Sequence, residues 1–409
     1  MREIVQIWGG QCGNQLGTHF LSSISTDHYI DPTGSLQPSQ SSEFHLLDTY
    51  FSPSTSGRYR PRVVTFDLDP SSVNTVRTDL YGHLLPPEQC IAGTGSAGNN
   101  WAKGYYTEGP EVLGPMLESI RRTVEACESL QAFQLTHSAG GGTGAGLGSL
   151  LLCSLAEDYS SVLSTFTVLP STYNSESVVL AYNVVLAVKD LIEKAGVCWV
   201  LENDAIATCC FKAFGQIRIE NTSLNAIAVK AMSEVTSRWR YSGEISQTMR
   251  KTAFNLVPYP DLHFLTCAYT PLSSRDQSST DIDLSKGLFS PSHTLFTKDI
   301  RQGSTLAASV LSHSPYHTDV TPLIPYFPDC VREEKLQGGL GTAEVKASMT
   351  GNFTACRTSW ERVAEVFQAM YRRKPYIHWF TGEGMEEMEL VEAYEVLQSL
   401  IAAYQMCEA

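Results

Sequence analysis

Short apolar runs alternate with stretches of helical spacing through the first half of the chain. Ile4-Val5-Gln6-Ile7-Trp8 reads as a strand that runs straight into Gly9-Gly10. Val63-Val64-Thr65-Phe66 is a second, ending in Asp67-Leu68-Asp69-Pro70. Phe133-Gln134-Leu135-Thr136 is a third, followed by a glycine-rich turn and an apolar helix over 147–155. Residues 164–169 and 197–201 add two more, with a helix through Val184, Val185 and Val188 between them. Buried strands alternating with helices predict an α/β fold of Rossmann-like type, a parallel sheet covered on both faces. Ligands of such sheets collect at the carboxyl ends of the strands, and Gly, Asn, Asp and Ser accumulate there in loop after loop.

The pattern changes twice. Residues 30–60 are rich in Ser, Thr and Pro and read as insert loops, whereas 258–350 carry frequent Pro and Gly with weak helical periodicity. This second stretch is expected to form a smaller α+β domain with long loops. Near the end, Val363, Val366, Phe367, Met370 and Tyr371 share one helical face. A further amphipathic helix is predicted over 384–406, with Met388, Val391, Tyr394, Leu397, Ile401 and Tyr404 on its apolar side. Its acidic start (Glu383, Glu386, Glu387, Glu389) suits a helix N-terminus.

Composition narrows the function. A hydrophobic fraction of 43% with 18% charged residues is that of an ordinary globular protein. A net charge of −14 argues against a nucleic-acid surface, which needs a basic stripe. It leaves open a phosphate site built from backbone amides. The eleven cysteines show no CxxC spacing, so neither a zinc site nor a disulfide framework is indicated. With no signal peptide and no run long enough to span a bilayer, a cytoplasmic protein with reduced thiols is expected.

The sharpest chemical feature is Gly140-Gly141-Gly142-Thr143-Gly144-Ala145-Gly146. Five glycines in seven residues between a strand and a helix let the backbone aim several N–H groups at one anion, with the helix dipole behind them. Tight helix–strand packing is the bland explanation of such a run, and the flanking strand and helix weigh toward phosphate. The sequence matches neither the P-loop pattern nor GxGxxG, and it has no P-loop lysine. Gly10-Gln11-Cys12-Gly13-Asn14-Gln15 and Ala97-Gly98-Asn99-Asn100-Trp101 are two further loops of amides at strand ends. Each alone would be a capping turn; three on one sheet point to a shared site.

Six segments in order resemble tubulins: MREIVQIWGGQCGNQLG, FDLDP, GNNWAKGYYTEG, LQAFQLTHSAGGGTGAGLGSLL, NLVPYPDLHF and RRKPYIHWFTGEGMEEMEL. They span the chain from residue 1 to about 405, and the closing segment looks like the beta type more than alpha or gamma. The resemblance implies a nucleotide-binding domain over 1–204, an intermediate domain over 205–356 that opens with a connecting helix, and a C-terminal helical region over 357–409. It implies GTP or GDP with Mg2+ as cofactors. Gln11 and Cys12 would sit on the phosphates, Asn99 near the γ-phosphate, and Ser138, Gly142, Thr143 and Gly144 around the phosphates. Asn203 and Asn225 would read guanine, and Asp69 would lie near the metal. For Asp69 and Asn225 the plain alternatives are helix caps. The implied partners are an alpha-tubulin-type subunit and filament neighbours in the cytoskeleton, with no nucleic acid and no membrane.

Departures from the family qualify this. Leu180 stands where tubulins generally place a glutamate against the ribose, Glu176 replaces an aspartate, and Asn221 replaces the aromatic residue expected to stack on guanine. Losing that stacking would cost about 1–3 kcal/mol. Lys251 occupies the position where alpha chains carry the glutamate that orients the attacking water. The chain is therefore expected to have no catalytic residue of its own for a neighbour's GTP, Lys251 contacting that nucleotide instead. Thr270-Pro271-Leu272-Ser273-Ser274-Arg275 keeps the start of the loop for lateral contacts, 276–345 aligns poorly, and the acidic tail is missing. Two functions follow: a beta-type subunit of microtubules, or a tubulin-like GTP-binding module that dimerises or caps filaments without a lateral lattice. A Rossmann-type oxidoreductase would need a catalytic pair in the second domain, and none is read there.

Overall fold

The computed structural model describes residues 2–38, 46–54, 57–171, 177–215, 220–242, 248–272, 287–312 and 347–408, and the backbone of 331–335. Ten strands join in one sheet, and a separate two-stranded hairpin (β2, Phe51–Pro53; β3, Tyr59–Pro61) lies in the insert region. The parallel part comprises β1 (Glu3–Gly9), β4 (Val63–Asp67), β5 (Cys90–Ala92), β6 (Leu130–Ser138), β7 (Val162–Leu169) and β8 (Val197–Glu202). Their spatial order is β8-β7-β6-β1-β4-β5. After β1 the chain builds outward on one side and then returns to place β6 on the other. The strand order therefore reverses between β1 and β6, where a crevice must open at the carboxyl ends.

Side-chain alternation on β1 explains why both faces are covered. Ile4 and Trp8 enter one core and Val5 and Ile7 the other, all of them essentially inaccessible. The first core is closed by α1 (Gly10–Asp27), α7 (Asn221–Arg240) and α8 (Met249–Leu256). Trp199 is its centre, stacked on Phe166 with centroids 5.0 Å apart and meeting Trp239 edge-on at 5.8 Å. The second core is closed by α3 (Glu108–Glu125), α4 (Gly148–Asp158), α5 (Leu180–Lys194), α9 (Arg357–Tyr371) and α11 (Glu387–Met406). The remaining helices are α2 (Pro70–Thr78), α6 (Asn203–Phe214) and the short α10 (Ile377–Thr381).

The sheet does not stop at β8. Strand β9 (Phe264–Thr270) pairs with it in parallel through Cys198–Phe264 and Trp199–Leu265. Beyond it, β12 (Ala347–Phe353) runs antiparallel to both β9 and β10 (Thr305–Ser312), and β11 (Val331–Lys335) runs parallel to β10. The segment of low helical periodicity thus supplies strands that continue the first sheet.

One helical face departs from expectation. The buried side of α11 is Leu390, Ala393, Leu397, Leu400, Ile401 and Tyr404, while Met388 stands 63% exposed. The helix begins at Glu387 behind a capping box made by Glu386 and Glu389, so Met388 lies in a first turn that projects beyond the packed surface. Residues Glu176 and Ser273 to Arg275 lie outside the described residues.

Candidate functional site

A cleft of about 700 Å³ occupies the switch point. Of the six strands β8-β7-β6-β1-β4-β5, all but the edge strand β5 feed it directly from their carboxyl ends: Gly10, Gln11 and Cys12 after β1, Asp67 and Asp69 at the end of β4, Ser138 and the glycine turn after β6, Pro170 after β7, and Asn203 after β8. Asn99 comes from the loop beyond β5. Of the expected site residues, Gln11, Cys12, Asp69, Asn99, Ser138, Gly142, Thr143, Gly144 and Asn203 share this one cleft. Asn225 is not among the lining residues; it stands half-buried in the second turn of α7, four residues after that helix begins at Asn221.

Two glycine positions explain how the loops come so close. Gly10 turns the chain with φ of 70°, and a side chain there would sit 2.9 Å from the Gly144 nitrogen. Gly142 backs onto Ala97 and Asn100, where an added Cβ would meet the Ala97 methyl at 2.5 Å. The turn enters α4 through a wider helical coil at Thr143–Leu147, in which the Gly146 N–H donates to the Gly142 carbonyl at 2.7 Å. The N-termini of α1 and α4 thereby converge on the cleft.

A buried frame holds these loops. The Asn183 amide is fully enclosed; its Nδ2 donates to the carbonyls of Asn99 (2.7 Å) and Gly140 (3.0 Å), and its Oδ1 accepts from Trp101 N–H (3.0 Å). Asn100 Nδ2 donates to the Trp379 carbonyl at 2.8 Å, tying the same loop to α10. His137 lies beneath the glycine turn with Nδ1 2.8 Å from the Gly144 carbonyl and Nε2 3.0 Å from the Thr167 hydroxyl. A carbonyl only accepts, so the ring carries a proton on Nδ1. Burial lowers its pKa to about 4. Asn14 joins α1 to β4 and α2, donating to the Phe66 carbonyl (3.3 Å) and to Ser72 Oγ (3.0 Å), and accepting from the Thr65 hydroxyl.

Asn183 and Asp67 escaped the sequence reading. An asparagine within Leu180-Ala181-Tyr182-Asn183-Val184-Val185 is a polar residue on a buried helical face, and such a residue needs partners. Asp67 was visible only as the end of a strand. It is buried, accepts from Asp69 N–H at 3.2 Å, and burial raises its pKa. Asp69 is exposed and caps α2, accepting from Ser71 N–H at 2.8 Å, and those Ser71 hydrogen bonds lower its pKa.

Among the described residues no lysine or arginine lines the cleft, so helix N-termini and backbone amides must meet an anion, together with any metal it brings. Nor do the described residues contain a group of three or more His, Cys, Asp or Glu able to hold a metal alone. Asp67 and Asp69 together are a donor set that fits Mg2+ brought by a phosphate ligand, because that ion takes one or two carboxylates plus substrate oxygens and water. Cys12 lines the cleft half-buried, and desolvation pushes its thiol up to about 12. Leu180 closes one end of the cleft, its Cδ1 against Gly140.

At the opposite, amino-terminal edge of the sheet lies α8. Its Met249 N–H donates to Gln131 Oε1 at 2.9 Å beside the start of β6. Thr248 caps it by accepting from Lys251 N–H at 3.1 Å. Lys251 is exposed and Phe254 is 85% exposed. No helix among the described residues is long and apolar enough to cross a membrane.

Comparison with known proteins agrees with this geometry. A family model described as "Tubulin/FtsZ family, GTPase domain" matches residues 3–211, which contain all five parallel strands feeding the cleft and every expected lining residue. The chain is 37% identical over 423 aligned positions to "Tubulin beta-5 chain" of Ectocarpus variabilis, covering 99% of this chain and 95% of that one. It is equally similar, with the same coverage, to "Tubulin beta-6 chain" of the same organism.

Proposed function

This chain belongs to the tubulin family as a divergent chain of the beta type, and from that premise we propose that it binds GTP with Mg2+ and stacks on an alpha-tubulin-type subunit as a cytoplasmic component of microtubules. Guanine-nucleotide binding follows from the matched GTPase domain. The observation that carries the finer reading is the cleft at the strand-order reversal, where two helix N-termini converge and no cationic side chain lines it among the described residues. In the bound state Gln11, Cys12, Ser138, Gly142, Thr143 and Gly144 hold the phosphates, and Asn99 approaches the terminal one. Asn203 reads the base from one end of the cleft. Asp69 and Asp67 are the side chains that would hold a magnesium ion through its waters. Such an ion would supply positive charge for the phosphates and favour the ionised form of the Asp67 carboxyl, which burial raises.

The partner reading is supported by the placement of Lys251 and Phe254 at the end of the sheet remote from the cleft. A head-to-tail contact brings that end of one subunit onto the nucleotide of the next, a heterologous interface that propagates rather than closes. The test is co-sedimentation with an alpha-type tubulin with and without GTP, alongside chromatographic identification of the nucleotide released from the purified protein. GTP-dependent pelleting with guanine nucleotide in the pellet is expected. Heterodimer without any pelleting would remove the filament assignment, and release of a different nucleotide would remove the GTP assignment.

A further inference from the structure

Asn183 and Asn352 are both fully buried, and each spans two main-chain carbonyls with its Nδ2. Asn352, on β12, donates to Leu256 and Leu262, which flank the connection from α8 to β9. Asn183, on α5, donates to Asn99 and Gly140, which belong to two loops of the nucleotide cleft. The chemistry is the same, and only the position of Asn183 bears on a ligand.

Holding a carbonyl from one side commits the rest of its peptide. In a trans peptide the C=O and the following N–H point in opposite directions, and the cis bond among the described residues is Thr270–Pro271. Asn183 draws the Gly140 carbonyl into the core at 3.0 Å, so the Gly141 N–H points the other way. Gly140 and Gly141 both line the cleft. Glycine offers little steric resistance to rotation, and a peptide turned over here would present an oxygen to the anion instead of a donor.

The second N–H of the same amide takes the Asn99 carbonyl at 2.7 Å. On the far side of that peptide the Asn100 N–H closes a turn onto the Ala97 carbonyl at 2.9 Å. Both central residues of the turn are left-handed, Gly98 at φ of 55° and Asn99 at 56°, the latter a conformation that residues with side chains rarely adopt. Asn183 Oδ1 accepts from Trp101 N–H at 3.0 Å, so the amide cannot reverse without facing oxygen to carbonyls and NH2 to an N–H. One planar group therefore fixes two loops at a single separation.

Resting on the guanine-nucleotide reading above, we infer that Asn183 is a positioning residue of the phosphate site: from outside the cleft it aims the Gly141 N–H at the phosphates and sets the Asn99 loop at the distance from the glycine turn that the terminal phosphate requires. Its removal weakens the phosphate end of the ligand and spares the base end.

The test measures GTP, GDP and guanosine on the full chain in the assembly it forms, by calorimetry and, for the weaker ligands, by competition. Asn183→Ser, whose hydroxyl reaches at most one of the two carbonyls, should lose about a hundredfold for GTP and about tenfold for GDP, with guanosine within about twofold. Asn352→Ser is the control: its urea midpoint should fall comparably while all three affinities stay within about twofold. Equal losses for the three ligands in Asn183→Ser, no loss at all, or the same graded loss in Asn352→Ser would each overturn the inference. So would an Asn183→Ser chain that does not fold beside an Asn352→Ser chain that does, since the residue would then serve folding. A measurement on the natural chain needs no variant: amide hydrogen exchange over 140–143 should be slowed by GTP and unchanged by guanosine. Unslowed exchange with GTP bound would show that the aimed amide does not meet phosphate. A natural chain that binds none of the three ligands overturns the guanine-nucleotide reading itself, an outcome distinct from GTP binding that is indifferent to Asn183.

Discussion

His137 couples the stability of the cleft to pH. The ring is enclosed, neutral, and hydrogen-bonded to the backbone of the glycine turn, and burial holds its pKa at about 4 against an ordinary 6.5. Because the folded pKa is the lower one, the unfolded chain takes up the proton first as pH falls. The contribution of the neutral ring is therefore complete above about pH 6.5 and is lost progressively down to about pH 4, roughly 3 kcal/mol in all. Acids work in the other sense: burial raises Asp190 to about 6, so its contribution is present at low pH and fades as pH rises through that value. The two trends overlap, so the His137 effect is isolated by difference. His137→Gln should flatten the wild-type-minus-variant stability curve from urea denaturation above pH 6.5 and show the wild type losing relative stability between pH 6.5 and 4. A difference independent of pH would show that the ring is not the titrating group. At this scale the sequence was informative where structure is local: the five glycines between a strand and a helix marked the tight turn that lines the cleft. It was silent on Asn183 and His137, whose partners lie up to 84 residues away.

Close backbone approach sets what the elements tolerate. Helix α1 lies so near β6 that a Cβ on Gly13 would sit 2.1 Å from the Thr136 carbonyl oxygen. Gly13→Ala must therefore lift the start of α1 from the sheet, at a cost of about 1–3 kcal/mol. Since that start carries Gln11 and Cys12, affinity for GTP should fall together with the urea midpoint. A variant that keeps full nucleotide affinity would separate the helix start from the phosphate site. The parallel strands were readable because their apolar runs are continuous, as burial on both faces requires. The direction of α11 was not, since Met388 fits the helical repeat and only the extent of the neighbouring surface leaves it exposed. Strand β9 illustrates the same limit: its composition marks a strand, but which sheet it joins depends on two register pairs with β8.

For the whole molecule the decisive relation is the distance between ends. Lys251 stands at the amino-terminal edge of the sheet and the nucleotide cleft at the carboxyl edge. If a neighbour's nucleotide meets Lys251, then Lys251→Glu puts a carboxylate where a water is to be deprotonated. Phosphate release by mixed assemblies with an alpha-type partner should rise by about a hundredfold per bound GTP. An unchanged rate in assemblies that still pellet would place Lys251 away from the neighbour's phosphates. Residue 251 was legible in the sequence only through the family resemblance. Its remoteness from the cleft within one chain is information that only the folded sheet provides.

The reversal of strand order between β1 and β6 gives the subunit a front and a back that cannot be exchanged. In the stack proposed above, each contact is made by a front against a back, so the polymer has direction. At one terminus the last cleft would stay open to solvent and trade its nucleotide freely; at the other, only a bare α8 would show. Every interior cleft would be sealed with whatever nucleotide it held on incorporation. The age of a subunit would then be written along the length of the polymer, and only its youngest layer could be rewritten.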